Sequence, residues 1–373
     1  MDFNLTEQEK MLQGVAKDFA VKSVRPRASD IDATSQFPFG LVKEMASLGY
    51  LGLPYPTEYG GGGAGYTGYA LVLEQICQAS MTVGAIMAVN TVPEEAIFRS
   101  GSEAQKKALL TPLARGTLLG SIAFTEAETG SDPRLITTLA RKSAGGYVVT
   151  GQKQFVAMAP AANVALVFTR DRGQGLNTFV IDTSSPGFNV RESLPTLGLR
   201  GLGTSVVYLD DVYVPEQTLI GEEGQGFDIL LEAISIERLG VAIQGVAVAQ
   251  AALELSIAYS RERRALGRPI AKLPSIQWHL AEMACRVEAG RWLAYRTAFL
   301  RDQGSSIRYE SSLAKLFASR VAVEVTGMAM QVHGAYGTMK TLPVERLYRD
   351  AKMTEIYVGV SEIQRSIIAD HLI

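Results

Sequence analysis

The chain has 373 residues, enough for two or three domains sharing a large buried core. Apolar residues make up 47% of it and charged residues 20%, with 36 Lys and Arg almost balanced by 38 Asp and Glu. That balance excludes a polyanion-binding surface and a charged disordered tail, so nucleic acid is not an expected partner.

Thr6 followed by Glu9 forms the pattern of a capping box, and it opens a region that reads as helix to about Leu113, because apolar residues recur at spacings of three and four. The glycine run at residues 60–65 is a loop between helices. It is a poor phosphate cradle, since no Gly-Lys-Ser/Thr follows it. From about Leu118 the period changes to two. Short strands are predicted at residues 147–150, 164–168, 178–181 and 206–209, punctuated by Gly145 and Gly146, by Gly173 to Gly175 and by the turn at Gly187, which describes a small antiparallel sheet domain. The G-L-R-G-L-G motif at residues 198–203 lies between Pro195 and a strand, whereas a dinucleotide loop runs from strand into helix. From Gly226 the pattern is helical almost to the end, with residues 227–264 read as one long helix or two abutting ones. The expected fold is mostly α with a central β domain: a helical domain at 1–117, a β domain at 118–223 and a C-terminal helical bundle at 224–373.

Residues 122–132, I-A-F-T-E-A-E-T-G-S-D, crowd hydroxyls, carboxylates and a glycine where a strand ends. Such a loop either binds a polar cofactor through Thr125, Ser131 and backbone N–H groups, or is an Asx/Ser turn joining two strands. The two cysteines, Cys77 and Cys285, form neither a disulfide framework nor a metal knuckle, and His279, His333 and His371 show no metal spacing. The start carries no signal-peptide pattern, and no window reaches about 18 uninterrupted apolar residues. A cytoplasmic protein with no membrane partner is expected.

An ordered set of short motifs resembles the acyl-CoA dehydrogenase family along the whole chain. They are P-T-E-Y-G-G (56–61), F-T-E-A-E-T-G-S-D (124–132), G-Q-K-Q-F (151–155), D-D-V-Y-V-P (210–215), G-E-E-G-Q-G-F (221–227), Q-V-H-G-A-Y-G (331–337), R-D-A-K (349–352) and G-V-S-E-I-Q-R (359–365). The resemblance implies one FAD per subunit, usually in a homotetramer, or here a homodimer. It implies an acyl-CoA or acyl-carrier thioester substrate and an electron-transfer flavoprotein as partner. By position it places Phe124, Thr125, Ser131, Phe155 and Ala157 beside the flavin. Arg263, Gln331 and Gly334 would reach the FAD of a neighbouring subunit, and Val360 and Ser361 the cofactor on their own side. Ser131, Arg238, Val358 and Gly359 would lie near the substrate. The implied chemistry is α,β-oxidation: a carboxylate removes the α-proton while hydride leaves the β-carbon for the flavin.

The chain departs from the family where the base is usual. Tyr-Glu-Gly is replaced by Tyr357-Val358-Gly359, and valine cannot take a proton. The backbone N–H of Val358 can still serve the thioester oxygen. Glu237 stands where isovaleryl-type and long-chain-type members carry their base, and its helical neighbours Ala233, Ile234, Gly240 and Val241 are apolar, which raises a carboxyl pKa. The competing reading is a Glu237 salt-bridged to an arginine at a helix contact. Beside the ring, Phe155-Val156-Ala157 lacks the family's hydroxyl, and Leu266, Pro274 and Val360 replace other usual flavin contacts. Oxidation, enoyl-CoA reduction in reverse, a β-elimination or desulfination reaction, and a non-catalytic flavin-binding scaffold all remain open.

Overall fold

A computed structural model describes residues 4–171, 173 and 175–373. The expected turn at residues 173–175 includes Gln174, which lies outside the described residues.

The chain opens with α1 (Glu7–Phe19), and its start is the expected capping box. Glu9 N–H donates to Thr6 Oγ1 at 3.2 Å, and Thr6 N–H donates to Glu9 Oε2 at 2.7 Å. α2 (Ala28–Thr34) and α3 (Phe39–Ser47) follow, then α4 (Gly65–Ala79) and α5 (Met81–Ser100), with the short α6 (Glu103–Gln105) and α7 (Thr111–Ala114) after them. α4 and α5 are apolar nearly all round because the rest of the molecule covers them on every side.

Seven strands form the central sheet among the described residues: β1 (Gly120–Ala123), β2 (Leu139–Ser143), β3 (Gly146–Val156), β4 (Val164–Arg170), β5 (Leu176–Asp182), β6 (Phe188–Ser193) and β7 (Ser205–Pro215). Their order is β1-β4-β2-β3-β7-β6, with β5 also on β4. Most pairings are antiparallel, as expected, but β1 runs parallel to β4, Gly120 opposite Val164, and β2 meets β4 in parallel at one pair. A parallel pair needs a long connection, and residues 124–163 supply it between β1 and β4. Alternating hydrophobicity reports a strand but not its direction. β2 and β6 were not foreseen. They expose Arg141, Lys142 and Ser143, and Arg191, Glu192 and Ser193, so they lack an apolar alternation to read.

α8 (Gly226–Glu262) is a single helix of 37 residues rather than two abutting ones, and it crosses the molecule. α9 (Pro274–Asp302), α10 (Arg308–His333), α11 (Val344–Thr354) and α12 (Ser361–Leu372) complete the bundle. By length and composition α8 alone among the described helices is apolar enough to cross a membrane. Its apolar window is 72% buried, packed by α4, α5 and α10, so a core position accounts for its hydropathy.

Candidate active site

Where the sheet meets the helices, a cavity of about 560 Å³ opens. Phe124, Thr125, Gly130 and Ser131 line it from the loop after β1, and Gln154, Phe155 and Ala157 from the end of β3. Ala85, Ala88 and Val89 of α5 line it as well, together with Glu237 and Gln244 of α8, Met353 of α11 and residues 356–360. Residues 194–204 contribute Leu194, Leu197, Leu199 and Thr204.

The loop after β1 is held from below. Glu126 and Lys153 form a buried ion pair at 2.8 Å. The same carboxylate accepts the backbone N–H groups of Thr137 at 2.7 Å and Thr138 at 2.9 Å, and the Thr137 hydroxyl at 2.6 Å. Burial alone would raise the Glu126 carboxyl, but the Lys153 ammonium and these donors outweigh it and bring it down to about 2. Lys153 Nζ also donates to the Phe124 carbonyl at 3.3 Å. Phe124, Thr125 and Ser131 are thereby presented to the cavity on a fixed turn.

Phe155 is placed by an irregularity in β3. Its register with β7 shifts between Lys153 and Val156, and within that bulge Phe155 takes a φ of 54°. A bulge re-aims a side chain, and Phe155 is 62% exposed at the cavity instead of packed in the sheet. Leu199 and Val358, two further lining residues, have φ of 53° and 58°. A β-branched residue in this region is an outlier, and such strain concentrates at functional sites.

Glu237 is buried, yet it makes no hydrogen bond and no ion pair among the described residues, so the salt-bridged reading does not hold. Burial pushes its carboxyl up to about 7, and the neighbouring Arg238 opposes the shift only in part. Two turns further along α8, Gln244 accepts the Tyr357 hydroxyl at 2.5 Å, which ties the segment carrying Val358 to the helix carrying Glu237. Tyr357 stood in the sequence only as the flank of the missing base, and Gln244 did not stand out at all. The readable signal was the spacing of seven between Glu237 and Gln244, which returns to one helix face.

Residues 357–360 are also held from behind. Lys315 Nζ donates to the Gly359 carbonyl at 2.7 Å, and Gln364 Nε2 donates to the same carbonyl at 2.9 Å and to that of Val358 at 3.3 Å.

Of the residues singled out from sequence, Phe124, Thr125, Ser131, Phe155, Ala157, Glu237, Val358, Gly359 and Val360 meet in this one cavity. Arg238 does not line it. One residue along a helix turns a side chain by about 100°, and the Arg238 guanidinium is buried within the field of Lys315 and Arg308, its Nε and Nη1 without partners among the described residues. Ser361 is turned aside as well, with its hydroxyl directed to the Glu355 carbonyl at 3.5 Å. Arg263, Gln331 and Gly334 gather away from the cavity, on the surface where α8 and α10 end. There the Arg263 guanidinium lies 5.6 Å from the Tyr336 ring centroid, and Tyr259 stacks on His333.

Three family models match in chain order: the acyl-CoA dehydrogenase N-terminal domain over residues 6–117, the middle domain over 121–212 and the C-terminal domain over 224–373. The chain belongs to the acyl-CoA dehydrogenase family. An acyl-CoA dehydrogenase of Bacillus subtilis is 40% identical over 375 residues, covering 99% of both chains. An acryloyl-CoA reductase (NADH) of Anaerotignum propionicum is 37% identical over 99% of this chain and 95% of its own. The structure of butyryl-CoA dehydrogenase from Megasphaera elsdenii superposes with a TM-score of 0.98 at 33% identity, covering all of both chains. As a member, the chain is an oxidoreductase acting on CH–CH groups, in a family of FAD enzymes.

Proposed function

We propose that this chain interconverts an apolar acyl thioester and its 2,3-enoyl thioester with Glu237 as the group that exchanges the α-proton. The observation that carries this is a buried carboxyl with no partner among the described residues, facing the same cavity as the backbone of residues 358–360. A carboxylate in water is too weak a base for a proton beside a thioester, but one raised by burial, opposite N–H donors for the carbonyl oxygen, is suited to it.

The residues fit FAD. The sheet side offers Phe124 and Phe155 for a flat ring, with the Thr125 and Ser131 hydroxyls and Gly130 for polar edges and close approach. When bound, FAD supplies the two-electron exchange at the β-carbon. The chain does the rest. The N–H groups of residues 358–360 receive the thioester oxygen, Glu237 holds or releases the proton at the α-carbon, and α5 with Ile122 excludes water from the acyl tail. Lysine and arginine are absent among the lining residues, which favours an uncharged acyl chain. A carboxyl raised to about 7 populates both protonation states near neutrality, and together with the reductase relative this supports working in either direction.

In this reading the helical unit (1–117), β unit (118–223) and bundle (224–373) each supply one wall. The surface bearing Arg263, Gln331 and Gly334 contacts the FAD of a neighbouring subunit in a homotetramer or homodimer, and an electron-transfer flavoprotein in the cytoplasm takes the electrons. Anaerobic addition of acyl-CoAs to FAD-loaded protein is expected to bleach the flavin. Glu237→Gln should slow that bleaching about a thousandfold while keeping its flavin. Bleaching by the variant at the wild-type rate removes Glu237 as the base, and no bleaching with any acyl thioester removes the oxidation.

A further inference from the structure

We infer that Lys315, together with Gln364, is a positioning residue for the backbone that receives the thioester oxygen. This rests on the thioester reading above.

Lys315 is fully buried in α10, and its hydrogen bond among the described residues goes to the Gly359 carbonyl, with no carboxylate paired to it. Burial first, and then the buried Arg238, weaken the hold of Lys315 on its proton, and the carboxylates of Glu355 and Glu362, which do not pair with it, offset them only in part. Burying an ammonium without an ion partner destabilises a fold. The packing of α10 does not call for a cation, since the buried residues around Lys315 are small and uncharged, Ser311, Ser312, Ala314, Ala318, Ser319 and Ala322 among them. Among the described residues, the Lys315 ammonium makes its hydrogen bond to the carbonyl of Gly359.

That carbonyl belongs to a strained pair. Val358 and Gly359 have φ of 58° and 84°, two successive left-handed residues, and for a β-branched valine the conformation costs on the order of 1–3 kcal/mol. Lys315 and the buried Gln364 draw the carbonyls of Gly359 and Val358 into the protein from two different helices. The N–H groups of residues 358, 359 and 360 find no acceptor among the described residues, and all three residues line the cavity. Successive N–H groups in such a conformation form a concavity for an anionic oxygen. Carbonyls clamped on the inner side keep these N–H groups on the outer side, so the oxyanion site is made by α10 and α12 although neither helix reaches the substrate.

The test reads the bound carbonyl itself. Crotonyl-CoA labelled with carbon-13 at its carbonyl is bound to the oxidised holoenzyme, and the isotope-edited infrared spectrum gives the carbonyl stretch. The wild type is expected to shift the stretch to lower frequency than in solution. Lys315→Met, of similar volume, should lose at least half of that shift and about a hundredfold in kcat, with flavin content unchanged. A lysine that only fills space alters thermal stability and leaves the stretch at its wild-type position, and that result overturns the inference. Where Lys315→Met does not fold, Gln364→Leu carries the same expectation, and a full shift in that variant overturns the joint clamp. A wild type that binds the thioester with no shift at all overturns the thioester reading along with it.

Discussion

Glu237 and Arg238 are neighbours in sequence and opposites in environment. One carboxyl stands at the cavity with no partner among the described residues; the adjacent guanidinium is buried on the side of Lys315 and Arg308. Because burial raises the Glu237 carboxyl to about 7, the pH dependence has a definite sign. As a base it must be ionised, so kcat/KM for oxidation should rise with pH through about 7 and then level off. As an acid in the reverse direction it must be protonated, and kcat/KM for enoyl reduction should fall across the same range. Profiles in both directions check this, and an oxidation rate flat from pH 5 to about 9 would exclude Glu237. The missing carboxylate at Val358 and the available one at Glu237 were both legible in the sequence, because each is a single residue type in a motif. The place of Arg238 was not, since adjacency along a helix says little about which cavity a side chain meets. Lys315 was illegible for a related reason: its partner is a carbonyl, and carbonyls carry no residue identity.

At the scale of elements, the turn after β1 could be read as a cofactor loop or a plain turn, but not as a clamped loop that lines a cavity. Glu126 looked like one more polar group in a crowded motif, and Lys153 was an unassigned letter in G-Q-K-Q-F. Folding brings them together across residues far apart in sequence, and their pair holds Phe124 to Ser131 in place. Lys153→Met would leave a buried carboxylate without its cation, a loss of about 3 kcal/mol that chemical denaturation can measure. The variant should also retain less FAD, since Thr125 and Ser131 lose their fixed turn. A variant as stable as wild type would mean that the Thr137 and Thr138 donors suffice. The long apolar period of α8 was readable as one helix or two abutting ones, whereas β2 and β6 were not readable as strands, because their exposed polar halves carry no alternation. The β3 bulge that turns Phe155 outward also left no mark, as register is a property of two strands.

The whole molecule encloses its cavity with three units, yet several residues with family-implied roles lie outside it. Arg263, Gln331 and Gly334 share one exposed surface, and nearby the hairpin of β8 (Arg264–Ala265) and β9 (Arg268–Pro269) lifts Leu266 into solvent at 86% exposure, while on α9 Trp278 is 74% exposed. Large apolar side chains held so far out are costly for an isolated subunit and are what a subunit contact covers. In the proposed assembly, where a neighbouring subunit covers this surface and its FAD meets Arg263, Gln331 and Gly334, assembly and FAD retention are coupled. Placing a charge in it, as in the double variant Leu266→Asp with Trp278→Asp, should shift the sedimentation of the protein to a smaller species and release FAD on dilution. The cavity of each separated subunit should remain intact, because this chain by itself supplies the walls described above. Added FAD at high concentration should therefore restore bleaching by acyl-CoA in the smaller species. A double variant that sediments as the wild type places the subunit contact elsewhere. One that dissociates but keeps its FAD on dilution separates cofactor binding from assembly.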